Sequence, residues 1–164
     1  LEVLVSACQD PEISRWISVP HPYGEADARA YLRQRREAAA SGVTAPFAIA
    51  DAADGQMLGS IALSHFAWPH RRGEVGYWLA TGARGAGHAT RAVRLICAWG
   101  FRALGLERIE LVAATGNLAS QRVAERCGFT REAVLRSHLR GRDGQQDMVA
   151  FGLLAGELPT DGDR

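Results

Sequence analysis

The stretch RGAGHAT, residues 84–90, lies where a strand-like run gives way to a helix-like one. Upstream, GEVGYWLA (73–80) alternates as a strand does. Downstream, Ala89, Ala92, Val93, Ile96, Trp99 and Ala103 recur at helical spacing, and the predicted helix runs to about Leu104. A helix that opens on such a loop carries unpaired N–H groups and a partial positive charge in its first turn. Gly85 and Gly87 let the backbone bend so that several N–H groups converge on one anion. Ala86, Ala89 and Thr90 are small enough not to block it. Read by itself, the segment is either an anion cradle or a glycine-containing turn without a ligand.

Two familiar phosphate loops do not fit. A Walker A loop needs a lysine, and all 19 basic side chains here are arginine. The same composition excludes a lysine nucleophile or Schiff base. A dinucleotide fingerprint needs a third glycine, where Thr90 stands, and an acid at the far end of the next strand. Glu107 and Glu110 instead fall at the beginning of theirs.

Working outward, DPEISRW (10–16) reads as a short helix with Asp10 as its cap and Pro11 in its first turn. A longer helix starts at Glu25 or Asp27, has Ala28, Tyr31, Leu32 and Arg35 on one side, and ends at Gly42. Arg33, Arg35 and Arg36 are expected on a solvated face. Residues 46–66 form two strands about Asp54-Gly55. ERIELVAA (107–114) is a strand, NLASQRVAERCG (117–128) a short helix, and residues 129–155 a final hairpin about Asp143-Gly144. The predicted order is α-α-β-β-β-α-β-α-β-β. That is an α+β protein: a mixed, mostly antiparallel sheet, helices on its faces and a central β-α-β crossover. Residues 1–158 are expected to form a single domain and 159–164 a disordered tail.

The bulk numbers agree with a globular domain. The chain has 164 residues, 47% hydrophobic and 23% charged, with a formal net charge of +1. That charge gives no field for non-specific nucleic-acid binding. Apolar runs fall far short of the roughly 20 residues of a membrane span, so no membrane partner is expected. Cys8, Cys97 and Cys127 are widely spaced and odd in number, which points to a reducing, cytoplasmic setting and away from disulfides or zinc. Cys97 and Cys127 fall on inner helix faces. The five histidines have no metal-ligand spacing, and no metal is expected.

Arg84-x-x-Gly87-x-Ala89 resembles the [QR]-x-x-G-x-[GA] loop of the GNAT acyltransferases, which wraps the pyrophosphate of acetyl-CoA. GYWLATGARGAGHATRAV (76–93), RIELVAATGNLASQRVAERCGF (108–129) and the final hairpin resemble the RimJ/RimL-type branch of that family. The likeness covers about residues 10–154. It implies acetyl-CoA as co-substrate and an amine acceptor, above all the α-amine of a protein or peptide such as a ribosomal protein. A small amine or an amino-bearing antibiotic, and a CoA-binding module without catalysis, stay open as alternatives. Branch members imply a homodimer. Two departures stand out. Thr81 replaces a proline three residues before the loop arginine, and the usual first β-strand is absent, which implies that the natural chain begins before Leu1.

The resemblance also assigns roles. The cofactor would be held by Arg84, Gly85, Ala86, Gly87, His88, Ala89 and Thr90. Backbone groups of Leu79, flanked by Trp78 and Ala80, would meet the pantetheine arm. The general-acid tyrosine of many members would fall at Ala124, whereas the branch's serine, three residues after Asn117, is Ser120. Ser120 would therefore protonate the departing CoA sulfur, and Asn117 would bind the pantetheine. Each also has a bland reading, because Asn is a preferred N-cap and Ser in a first turn bonds locally. Arg122 would reach the CoA phosphates or stay in solvent. The base candidates are Glu74, then His138, then His65; each could equally be an ordinary sheet residue.

Overall fold

Short turn-forming clusters and alternating apolar residues build a six-stranded sheet. In the structure, a computed structural model, residues 1–16, 20–141 and 144–159 are described. The strands are β1 (Ala45–Ala50), β2 (Met57–Ala67), β3 (Arg72–Leu79), β4 (Arg108–Ala114), β5 (Thr130–Gly141) and β6 (Gly144–Leu154). Their order across the sheet is β1-β2-β3-β4-β6-β5. Among the described strands only β3 and β4 are parallel; every other neighbouring pair is antiparallel. The β1–β2 turn forms as its sequence dictates: Asp54 Oδ1 accepts from the Gln56 N–H at 2.8 Å, and Gly55 takes a positive φ of 73°.

Among the described residues five α-helices flank the sheet: α1 (Glu2–Gln9), α2 (Pro11–Trp16), α3 (Glu25–Ala40), α4 (His88–Ala103) and α5 (Leu118–Arg126). α4 is the crossover between the parallel strands. The predicted order holds, with one addition: α1 (Glu2–Gln9), in a stretch for which the sequence pattern predicts no element. Its Leu4, Ala7 and Cys8 are buried at helical spacing, too short a pattern to stand out by itself. β5 and β6 pair down to Gly141 opposite Gly144. Asp143 of the predicted turn, and tail residues 160–164, lie outside the described residues.

The two faces of the sheet carry separate cores. Ile61, Leu63, Val75 and Leu79 pack with Val93, Ile96 and Cys97 of α4 and with Ala124 of α5. On the other face, Leu4, Cys8, Tyr23 and Ala28 cluster, with Tyr31 and Trp78 against them. Cys97 and Cys127 are fully buried, as expected. Ala103 is exposed, contrary to expectation; the inner stripe of α4 runs through Cys97 and Gly100 instead. Gly100 is there for space: a Cβ would come within 2.7 Å of Leu63 Cδ1, so α4 could not approach β2 as closely with any other residue. On α3, Leu32 is exposed. Arg33 and Arg36 are exposed, but Arg35 turns inward, donating to Tyr31 Oη at 3.0 Å and to Thr44 Oγ1 at 3.4 Å.

Candidate active site

The single parallel pair does not stay paired. β3 and β4 are in register only over Arg72–Glu74 and Arg108–Glu110, and then β3 continues to Leu79 and β4 to Ala114 without bonding each other. The sheet is therefore open at its centre. The Ala80 N–H donates to Leu58 O at 2.8 Å, and Trp78 lies opposite Ser60 of β2. Strand alternation then turns the backbone groups of Leu79 and Tyr77 away from β2 and into the opening. Of the three backbone positions expected here, Leu79 faces the opening, while the N–H of Ala80 is already taken by β2.

The loop after β3 closes one end. Gly85 and Gly87 have φ of 81° and 80°, and a Cβ at either would meet nothing within 4 Å, so conformation rather than space requires glycine. Gly87 caps α4. The first bond across that cap runs from the Arg91 N–H to Gly87 O at 3.1 Å, which leaves the N–H groups of His88, Ala89 and Thr90 outside the helical ladder.

Arg84 does not extend from the loop. Its Nε and Nη2 donate to Leu79 O, both at 3.2 Å, and its Nη2 donates to Asp10 Oδ2 at 2.6 Å. Thr81 Oγ1 donates to the same oxygen at 2.7 Å, so the residue standing in place of the proline joins the latch. The other oxygen of Asp10 caps α2, accepting from the Glu12 N–H at 2.9 Å. The cap was legible in the sequence; the latch, formed across 74 residues, was not.

The hydrogen bond from Thr81, helped by Arg84, holds the Asp10 carboxyl below the usual range. Folded Asp10 thus gives up its proton more readily than an unfolded aspartate, at about 3.9. The latch contributes its full stability above that value and loses it as the pH falls through the lower folded value. Asp10→Ala is expected to flatten the fall of Tm between about pH 5 and pH 2 relative to the unaltered chain. Parallel curves in thermal unfolding would remove the role.

α5 supplies the opposite wall. Asn117 caps it, its Oδ1 accepting from the Ser120 N–H at 3.1 Å. The Ser120 hydroxyl is 3.2 Å from Tyr77 Oη, and the tyrosine donates. Tyr77 was not singled out in the sequence: it reads as one more aromatic in a strand, and nothing in its spacing shows that β3 faces α5. Burial pushes its phenol up to about 12. Leu79, Arg84, Gly85, Ala89, Asn117 and Ser120 all line one cleft of about 230 Å³, with Ile13 and Trp16 of α2 at its side.

A second cleft, of about 700 Å³, lies on the other face of β3 beneath α1 and α3. It shares Tyr77 and Trp78 with the first, and its walls include Tyr23, Tyr31, Ser60 and Gly76. Among the described residues Asp27 is the one carboxylate lining it, and that side chain accepts from the Gly24 N–H at 2.9 Å.

Glu74 lies on the same strand face as Gly76 and Trp78, two residues below the second cleft. Burial raises its carboxyl; His65, 3.7 Å away, and His138 draw it back, while Glu110 pushes it up. The three base candidates are thus neighbours, with Glu74 the most enclosed of them. Arg122 is exposed on α5. His88 lines a different hollow, an apolar groove of about 610 Å³ between β1 and α4, with Phe47, Leu95 and Trp99. No cluster among the described residues could hold a metal ion, and no described helix is long and apolar enough to cross a membrane.

The chain that carries this opened parallel pair, glycine loop and facing serine is similar to known proteins. The family described as acetyltransferase (GNAT) domain matches residues 1–130. The chain belongs to the GNAT acetyltransferase family, whose members take the acetyl group from acetyl-CoA. Its relatives lie in the RimJ/RimL-type branch. Bacillus subtilis YdaF, which carries the name of a ribosomal N-acetyltransferase, is 36% identical over 104 residues. That match covers 63% of this chain and 57% of YdaF, so the chain spans little more than half of this relative's length. Mycobacterium smegmatis RimJ in complex with CoA-disulfide superposes with a TM-score of 0.85 at 25% identity, over 96% of this chain and 78% of that one. A Vibrio cholerae spermidine N-acetyltransferase in complex with CoA and spermine shares the fold, with a TM-score of 0.80 at 21% identity over 95% and 90% of the two chains.

Proposed function

We propose that the protein transfers an acetyl group from acetyl-CoA to the α-amine of a protein or peptide, such as a ribosomal protein. Residues 1–158 would act as one catalytic domain. The observation that carries this reading is the open β3–β4 pair, with a phosphate-sized loop at one end, Ser120 across it and a second cleft behind. Acetyl-CoA supplies a thioester, a carbonyl activated toward an amine.

The loop from Arg84 to Thr90 grips the pyrophosphate by its backbone, with Arg84 locking the loop rather than contacting the anion. Ala86 and His88 serve through their N–H groups, and Arg122, exposed on α5, would meet the outer phosphates. The Leu79 N–H polarises the carbonyl. Trp78 and Ala80 hold that strand on β2, and Asn117 sets the start of α5 while meeting the pantetheine arm. The amine enters from the second cleft, and its lone pair forms the C–N bond. The C–S bond then breaks with its electron pair going to sulfur. Ser120 gives its proton to that sulfur and regains one from water. The amine's surplus proton leaves through water to Glu74, or to His138 beside it. Positioning supplies much of the rate, so no covalent enzyme intermediate is needed.

A polyamine acceptor is disfavoured by the second cleft. Among the described residues its lining holds one carboxylate, Asp27, and one guanidinium, Arg35, whereas a polycation needs several acids. Peptides with free N-termini are expected to be acetylated at least tenfold more efficiently than spermidine, measured as kcat/KM by release of CoA thiol. A preference for spermidine, or CoA binding with no acceptor ever acetylated, would overturn the reading. The cytoplasmic setting, which rests on the widely spaced cysteines, and the homodimer, which rests on the resemblance, belong to the proposal.

A further inference from the structure

We infer that Tyr77 is a positioning residue for acetyl transfer, aiming the Ser120 hydroxyl into the cofactor cleft. The inference rests on the proposed role of Ser120 and adds a residue that the family loop and the Asn-to-Ser spacing do not include. A serine hydroxyl has one proton and two acceptor sites, and it rotates freely unless something fixes it. Two contacts fix it here. The Ser120 N–H is held by Asn117 Oδ1, which sets the first turn of α5. The Tyr77 hydroxyl donates to Ser120 Oγ at 3.2 Å, across 43 residues of sequence.

The direction of that bond matters. With Tyr77 donating, the serine proton cannot point back at the phenol oxygen, and the remaining directions open into the cleft that both residues line. Reversed, the serine would spend its proton on Tyr77 and have none for a sulfur. The tyrosine ring packs against the main core beside Leu79, so it cannot swing away to release the hydroxyl. The phenol is protonated throughout the neutral range, and burial raises it further, so it always has a proton to donate to Ser120 Oγ. Tyr77 also lines the acceptor-side cleft, which puts the aiming contact at the wall between the two substrates. No proton leaves Tyr77 in this scheme; it orients the group that gives one.

The test is a four-member cycle of the full chain: unaltered, Tyr77→Phe, Ser120→Ala and the double variant, each with kcat, KM for acetyl-CoA and Tm. Phenylalanine keeps the ring and removes only the donor. Tyr77→Phe is expected to lower kcat about tenfold with KM for acetyl-CoA unchanged. The double variant should match Ser120→Ala alone, because Tyr77 has nothing left to aim. An unchanged kcat in Tyr77→Phe while Ser120→Ala is impaired overturns the inference and leaves the role of Ser120 intact. Losses that multiply in the double variant overturn it too, since Tyr77 would then act by another route. A silent Ser120→Ala removes the role of Ser120, and with it any role exerted through it. A loss in Tyr77→Phe that tracks a fall in Tm, with KM rising as well, marks a packing role and counts against aiming.

Discussion

Ser120→Ala is expected to lower kcat about 100-fold while leaving KM for acetyl-CoA close to its original value. The size is the low end of what a positioned proton donor contributes. It is the low end because an unperturbed hydroxyl is a weak acid and a water can take its place. The split between kcat and KM follows from where the group acts. Ser120 lies across the cleft from the loop of Gly85 and Gly87, so cofactor binding does not depend on it. It meets charge only when the C–S bond breaks. The structural cost is small, because the cap on α5 uses the Ser120 backbone N–H and the Asn117 side chain, neither of which the substitution removes. Steady-state kinetics with saturating peptide acceptor check this. A kcat within twofold of the unaltered chain would leave the reaction without a protein-borne acid.

Gly87→Glu is expected to weaken acetyl-CoA binding by at least 100-fold while the chain stays folded. Two effects add. At φ 80° an L side chain is strained, by roughly 1–2 kcal/mol, so the cap relaxes and the N–H groups of His88, Ala89 and Thr90 no longer converge. The carboxylate also places negative charge where the pyrophosphate should sit. Gly87 is exposed, and a Cβ there meets nothing within 4 Å, so the core is not disturbed. Calorimetric titration with acetyl-CoA, beside a thermal melt, separates loss of binding from loss of fold. Undiminished affinity in a folded variant would mean that the loop does not grip the phosphates.

The sequence displayed local features well and distant ones poorly. The Asp54-Gly55 turn, the α4 stripe and the Asn117 cap depend on residues within a turn or two of each other, and periodicity reveals them. The cysteines at 97 and 127 were legible as core for the same reason. The exposure of Ala103 was not, because the inner face of α4 passes through Gly100, which has no side chain to mark it in an apolar pattern. Among site residues, the loop from Arg84 to Thr90 and the Asn117–Ser120 pair carried a recognisable spacing. The Asp10–Thr81–Arg84 latch and the Tyr77–Ser120 contact had none, since each joins elements brought together only by the sheet. The same holds for the second cleft: α1 and α3 roof it, and no pattern in the sequence marks α1.

The opening between β3 and β4 also has a mechanical meaning. The sheet is two ribbons, β1-β2-β3 and β4-β6-β5, laced at three paired positions and strapped by α4. Whatever lies in the gap supplies rungs that the polypeptide omits. On the proposed reading, an acetyl donor bound there would be both reagent and missing strand. As its arm departed the ribbons would lose a tie, so turnover and the rigidity of the sheet would be governed by the same few hydrogen bonds.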